Sequence, residues 1–488
     1  MLFTAPSFLF VFLPLVLALH LVAHPVWRNG LLLGASLVFY ASGAGAFTSL
    51  IVASIVANYL AALAIDRYRD RPAGRWLLRT TVAANLSVLV ACKYTGFLGA
   101  NLNAVLGRAG LGPLVVPDIT LPIGISFFTF HAISYVVDVA RRDAVAQKRP
   151  LEAALYLLFF PQLIAGPIIR YREIANQLPL RTVGLDDMAY GVRRFVVGLA
   201  KKMLVANTLA LPADRIFALP AADLTTATAW LGVGCYTLQL YFDFSGYSDM
   251  AIGLGRMFGF HFPENFRYPY VATSVQDFWR RWHLSLSAWF RDYLYVPLGG
   301  NRVAPSRVYL NLVAVFALCG LWHGANWTFV VWGLFHGAFL VVERMVGRGS
   351  PRAPAGLWRV IGHAYALVVV MVGWVFFRAG SLTEAGHLLA AMAGVRSAAS
   401  PIFDLSWYLT PDVVLALAAG VVGAMPIAPE VARVWARRWV RETDGAGGPA
   451  WLPATSSVAL VAVLTAWLVM SVMLSAAGTY SPFIYFRF

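Results

Sequence analysis

Charge is what this chain has least of. Only 12% of its 488 residues are Asp, Glu, Lys or Arg, against 59% hydrophobic, and the mean hydropathy is +0.68. A soluble fold of this length carries about twice that charge, so a water-soluble protein is excluded. Acidic residues are the scarcer sign, 23 against 38 basic, which leaves a formal net charge of +15. Cysteine is almost absent. Cys92, Cys235 and Cys319 lie in apolar stretches at no metal-ligand spacing, as scattered small hydrophobes do. Also missing are a phosphate-cradling glycine loop with its lysine, a zinc-protease histidine pair and a serine elbow, which removes the soluble catalytic classes. No repeat of about 20 to 50 residues marks a solenoid. Neither half of the chain is an inverted copy of the other, which weighs against the repeat-built transporters.

What the chain has instead is long apolar runs. Pro6 to Ala23, Asn29 to Phe47, Thr48 to Ile65, Ile119 to Ala140, Val308 to Val342, Val360 to Phe377 and Thr455 to Ala477 stand out. Each approaches or exceeds the roughly 20 residues that cross hydrocarbon as a helix. Less clean stretches at 77–97, 151–169, 230–253 and 413–427 bring the expected count to roughly ten or eleven spans. The expected fold is all-α and polytopic, one membrane-embedded unit over 1–488 with N-terminal helices to 150, a catalytic core at 151–345 and C-terminal helices beyond. The first run begins almost at Met1 without a basic leader, contains Pro14 and is followed at once by a second span, so it reads as a retained helix.

Basic residues in such a chain report topology and lipid contact before nucleic acid. Arg67, Arg69, Arg71 and Arg75 crowd one short loop, and Arg141, Arg142, Lys148 and Arg149 another. Both loops are expected on the cytoplasmic face, and counting back three spans puts the N-terminus outside. No nucleic-acid partner is expected.

Between about 161 and 302 the apolar runs are broken by Pro161-Gln162, Gly166-Pro167 and Pro263-Glu264-Asn265. Irregular backbone at membrane depth needs protein or a water-filled cavity around it, so a polar interior is expected here. Val275 to Val296, taken as one helix, puts Phe278, Trp282, Leu286, Trp289 and Tyr293 on one arc and Arg280, His283, Ser287 and Arg291 on another. Two readings of the second arc stay open: an interfacial face whose arginines meet lipid headgroups, or a cavity wall that binds an anionic donor. In Val308–Val342 the run Gly320-Leu321-Trp322-His323-Gly324-Ala325-Asn326-Trp327 places an ionisable ring in hydrocarbon. Such groups face the protein interior and carry function, or else donate to a carbonyl between packed helices. His336 lies 13 residues on, at another face, and is expected to pack. Asp243 and Asp249 do not share a helix face, so they are expected to tie helices together, or to the arginines of 275–296, rather than act as a carboxylate pair.

Four ordered motifs then carry a resemblance: Phe242-Asp243-Phe244-Ser245-Gly246-Tyr247-Ser248-Asp249, Phe278-Trp279-Arg280-Arg281-Trp282-His283, Trp289 to Arg302, and Leu321-Trp322-His323-Gly324-Ala325-Asn326-Trp327. Through nearly its whole length the chain resembles the membrane-bound O-acyltransferase superfamily, and within it the bacterial alginate O-acetylation branch. That resemblance implies His323 as the active-site histidine, His283 as the second polar position, and a tunnel through the membrane core. It implies an acyl thioester such as acetyl-coenzyme A as donor substrate, with no bound cofactor or metal, and a hydroxyl acceptor beyond the inner membrane of a bacterium. It also implies periplasmic acetyltransferase partners and a polysaccharide acceptor, reached directly or through them. On this reading His323 is the general base, while Asn326, Trp322, Arg280 and Arg291 contact substrates. A transporter or flippase, or a non-catalytic scaffold, is the alternative.

The topology is testable at once. A cysteine placed between Asp66 and Arg75 is expected to resist an impermeant thiol reagent applied outside intact cells, and ready labelling would reverse the orientation.

Overall fold

The structure is a computed structural model that describes residues 2–347, 356–395, 398, 403–427, 430–431, 451–478, 480 and 482. Helices joined by short turns make up the fold, and no strand occurs among the described residues. Six helices are long and apolar enough to cross a membrane: Phe47–Tyr68, Leu185–Phe217, Pro305–His323, Trp327–Met345, Leu357–Arg378 and Val458–Ala476. Pro72–Lys93 and Thr95–Arg108, bent by 67° at their junction, make a seventh if taken as one span. The chain is a multi-pass membrane protein. Other apolar runs are subdivided by their own prolines and glycines. The run at 151–169 becomes Pro150–Leu158 and Phe160–Leu163, because Pro161 and Gly166-Pro167 leave no room for a continuous helix. The run at 119–140 starts without regular structure and turns helical only at Ile125, after Gly124 at φ +75°.

Thr226–Met257, a 32-residue helix buried through most of its length, forms the centre. It carries both aspartates. Asp243 pairs with Lys202 at 2.6 Å, and Asp249 pairs with Lys201 and Arg194, each at 2.7 Å. Of the two partners expected for them, the structure chooses a neighbouring helix: all three cations sit on Leu185–Ala200 and its continuation Lys201–Ala206. Buried charges persist only when paired, so these bridges fix which faces of the two elements meet.

The two arginine-rich loops share one end of the bundle. Asp70 of the first forms an ion pair with Arg142 of the second, and Arg141 donates to the Asp292 carbonyl at 2.9 Å. From that end Pro72–Lys93 climbs 22 residues, about 32 Å, and Ile125–Arg141 spans 17 residues, about 25 Å. Lys93 and Ile125 therefore lie toward the opposite end.

Pro305–His323 and Trp327–Met345 form a tight hairpin. A Cβ on Gly320 would stand 2.2 Å from the Phe329 carbonyl oxygen, and one on Gly333 2.2 Å from that of Phe316. Small residues here let the two backbones touch, as close helix pairs in membranes require. Gly320→Ala is expected to force them apart and lower stability by about 1–3 kcal/mol, read as a drop in melting temperature in detergent. An unchanged melting temperature would mean that the hairpin is looser than described.

Candidate active site

The stretch Val275 to Val296 is not one helix. Val275–Trp279 ends in a turn, His283 adopts φ +44°, and the chain resumes as Leu284–Phe290 followed by a π-helical turn at Arg291–Tyr295. A left-handed conformation is strained for a residue with a side chain, and Asn265 is what holds it. The Asn265 carbonyl accepts from the Leu284 amide at 3.0 Å, while its Oδ1 accepts from His283 Nδ1 at 3.0 Å and from Ser285 Oγ at 2.8 Å. The break dissolves the expected polar arc. His283 is wholly buried, whereas Arg280 and Arg291 are exposed.

Arg291 belongs to the arginine-rich end, where it pairs with Asp292 at 2.7 Å. Asp292 also meets Arg170 and Arg172. Burial alone would raise the Asp292 carboxyl, but the hydrogen bond from Arg291 and the three guanidinium charges hold it below its ordinary value.

His323 is the last residue of Pro305–His323. Gly324 ends the helix in extended conformation, and a Cβ there would stand 2.2 Å from the Phe329 ring. Asn326 then starts the next helix: its Oδ1 accepts from the Thr328 amide at 3.1 Å and its Nδ2 donates to the Gly380 carbonyl at 3.0 Å. The substrate contact expected of Asn326 meets a carboxamide already engaged by the protein at both ends. The His323 ring is 6% exposed and lies edge-on to Trp332 and Phe377, both at 5.2 Å between centroids. Trp322 stacks on Phe130 at 5.0 Å and stands 6.4 Å from the His283 ring. The structure thus brings His323, Trp322 and His283 together and leaves Arg291 at the arginine end.

A cavity of about 100 Å³ opens beside them, lined by Lys93, segment 121–127, Ile164, Trp322 and His323. Because the Asn265 oxygen can only accept, His283 Nδ1 carries the proton and Nε2 of the neutral ring is an acceptor. Neither that nitrogen nor the Trp322 Nε1–H has a hydrogen-bond partner among the described residues. Trp322 lines the cavity and His283 does not, so the unmet donor belongs to the cavity wall and the unmet acceptor to the layer behind it. Among the described residues no three His, Cys, Asp or Glu side chains converge as metal ligands do.

Two residues of the site escaped the sequence analysis. Lys93 is a lone lysine in the apolar stretch 77–97, and an intramembrane ammonium is itself a signal of function. Asn265 lies in the polar break Pro263-Glu264-Asn265, but its hold on His283 spans 18 residues and no local pattern encodes it. His336 is wholly buried in aromatic packing, with Trp279 Nε1 donating to its Nδ1 at 3.4 Å and Trp332 at 5.2 Å. As a helix cap, Asn326→Ala is expected to cost about 0.5–2 kcal/mol of stability. Thermal unfolding checks it, and an unchanged midpoint would release Asn326 from its capping role.

Comparison with known proteins places this geometry in a family. The family model described as MBOAT, membrane-bound O-acyltransferase family, matches residues 67–382, which span both histidines and Lys93. The chain is 48% identical over 394 residues to a probable alginate O-acetylase AlgI of Azotobacter vinelandii, covering 80% of this chain and 78% of that protein. It is 41% identical over 499 residues to a protein of the same name from Pseudomonas putida, covering both chains completely. A peptidoglycan O-acetyltransferase of Helicobacter pylori is 38% identical over 427 residues, covering 81% of this chain and 80% of that one. The chain belongs to the membrane-bound O-acyltransferase family.

Proposed function

We propose that this O-acyltransferase moves an acetyl group from a cytoplasmic thioester such as acetyl-coenzyme A to a hydroxyl on the periplasmic side of a bacterial inner membrane. The product is an O-acetylated polysaccharide, formed directly or through periplasmic partner proteins. Relatives named for alginate and for peptidoglycan support a polymer acceptor. The observation that carries the reading is the cavity at His323, walled by Trp322 and set toward the end of the bundle opposite the arginine-rich loops. With those loops cytoplasmic, the N-terminus is periplasmic and ten or eleven crossings frame a tunnel from donor side to acceptor side.

In this reading the acceptor hydroxyl gives its proton to the His323 ring as its oxygen bonds to the acyl carbon. The tetrahedral intermediate collapses, the carbon–sulfur bond breaks, and the proton passes from the imidazolium to the departing thiolate. The Trp322 Nε1–H donates to the carbonyl oxygen as it gains charge, and His283 Nε2 orients the hydroxyl. Arg291, at the arginine-rich end, and Arg280 meet the donor's phosphates, and both also face lipid headgroups.

His323→Gln preserves size and hydrogen bonding but cannot relay a proton near neutral pH. It is expected to lower transfer of labelled acetyl by about 10²–10⁴-fold in folded protein, while His336→Gln keeps most turnover. Near-normal transfer by His323→Gln would move the base to His283. Label that never leaves the donor in wild-type protein would instead indicate passage without chemistry.

A further inference from the structure

The helix that presents His323 ends without the usual device. A helix leaves its last carbonyls without internal partners, and many ends satisfy them by a left-handed glycine that folds the chain back. Gly324 does not do this: at φ −161°, ψ 147° it is extended and carries the chain away from the helix. The carbonyls of the last turn are satisfied from elsewhere in the molecule. Tyr94 Oη donates to the Leu321 carbonyl at 2.6 Å. Lys93 Nζ donates to the Trp322 carbonyl at 2.6 Å and to that of His323 at 3.2 Å. Three consecutive carbonyls thus take side-chain hydrogen bonds from two consecutive residues more than 220 positions away in sequence.

The placement of that pair is specific. Lys93 and Tyr94 stand at the 67° bend between Pro72–Lys93 and Thr95–Arg108, so the bend itself turns both side chains onto the end of the hairpin. A cation at a helix C-terminus meets the negative end of the helix dipole, and here Lys93 is partly buried, which lessens the screening of that attraction. Lys93 also lines the cavity with His323 and Trp322, and its ammonium lies 6.0 Å from the Trp322 ring centroid.

We infer that Lys93 and Tyr94 are positioning residues for acyl transfer, clamping the backbone of 321–323 so that the His323 and Trp322 rings stay registered on the cavity. The inference rests on His323 being the proton acceptor of the reaction. Without the clamp the last turn frays, since Gly324 returns only its amide, to the Gly320 carbonyl at 3.2 Å, and leaves the three carbonyls that follow unmet, and the ring loses its bearing. A displacement of about 1 Å at a reacting group can cost about 10²-fold in rate.

The test uses the full chain in detergent, with kcat and KM for labelled acetyl donor measured beside the melting temperature. Lys93→Met is expected to lower kcat by about 10²-fold with KM within about twofold of wild type. Lys93→Arg, which keeps a cation with two forward N–H groups, is expected to restore most of kcat. Tyr94→Phe removes one oxygen and is expected to lower kcat by about threefold to tenfold without moving the melting temperature. Wild-type kcat in folded Lys93→Met, or equal losses in Lys93→Met and Lys93→Arg, overturns the inference. Should Lys93→Met fail to fold, Tyr94→Phe decides alone, and an unchanged kcat there overturns the clamp. His323→Gln in the same assay separates the two readings. If it is inactive while Lys93→Met turns over normally, only the clamp fails, whereas if it is active the base assignment fails whatever Lys93→Met shows.

Discussion

Hydrocarbon offers no hydrogen bonds, and this rule governs how the molecule places its reactive groups. Backbone groups and charges held at membrane depth must be met inside the protein. The helix ending at His323 meets the rule with Lys93 and Tyr94, the irregular turn at His283 meets it with Asn265, and the aspartates of the central helix meet it with three basic side chains. Each solution joins segments distant in sequence. The backbone around the site is thus held by side chains from other segments.

Much of the architecture could be read from composition alone. Scarce charge and apolar runs specify a helical multi-pass protein, and the paired arginine loops do lie at one end of the bundle. The count of spans is harder, because hydropathy does not reveal where Pro161 or Gly124 interrupts a run. Helical periodicity misleads at 275–296 for a similar reason. It assumes an unbroken helix, and the break at His283 is held by Asn265 from outside the window.

The site was legible in its ionisable groups and illegible in its supports. His323 and His283 announce themselves as histidines in apolar surroundings, and Trp322 follows from its place beside His323. The sequence offers Asn326 as a substrate contact, and the structure shows that its neighbours Trp327 and Thr328 begin a helix that it caps. Which of two polar residues three positions apart lines the cavity depends on where the helix ends, and Gly324 together with two residues more than 220 positions away holds that end.

The bridges of the central helix bear on how the protein is made. Arg194, Lys201 and Lys202 pair with Asp243 and Asp249 of the central helix, and Arg194 also with Glu264 beyond its end, so these charges are met only once both elements are together. Either one alone would carry naked charge into lipid, at a cost of about 2.5–3.5 kcal/mol per residue at the bilayer centre. Entry of the two elements together, as a paired unit, avoids that cost.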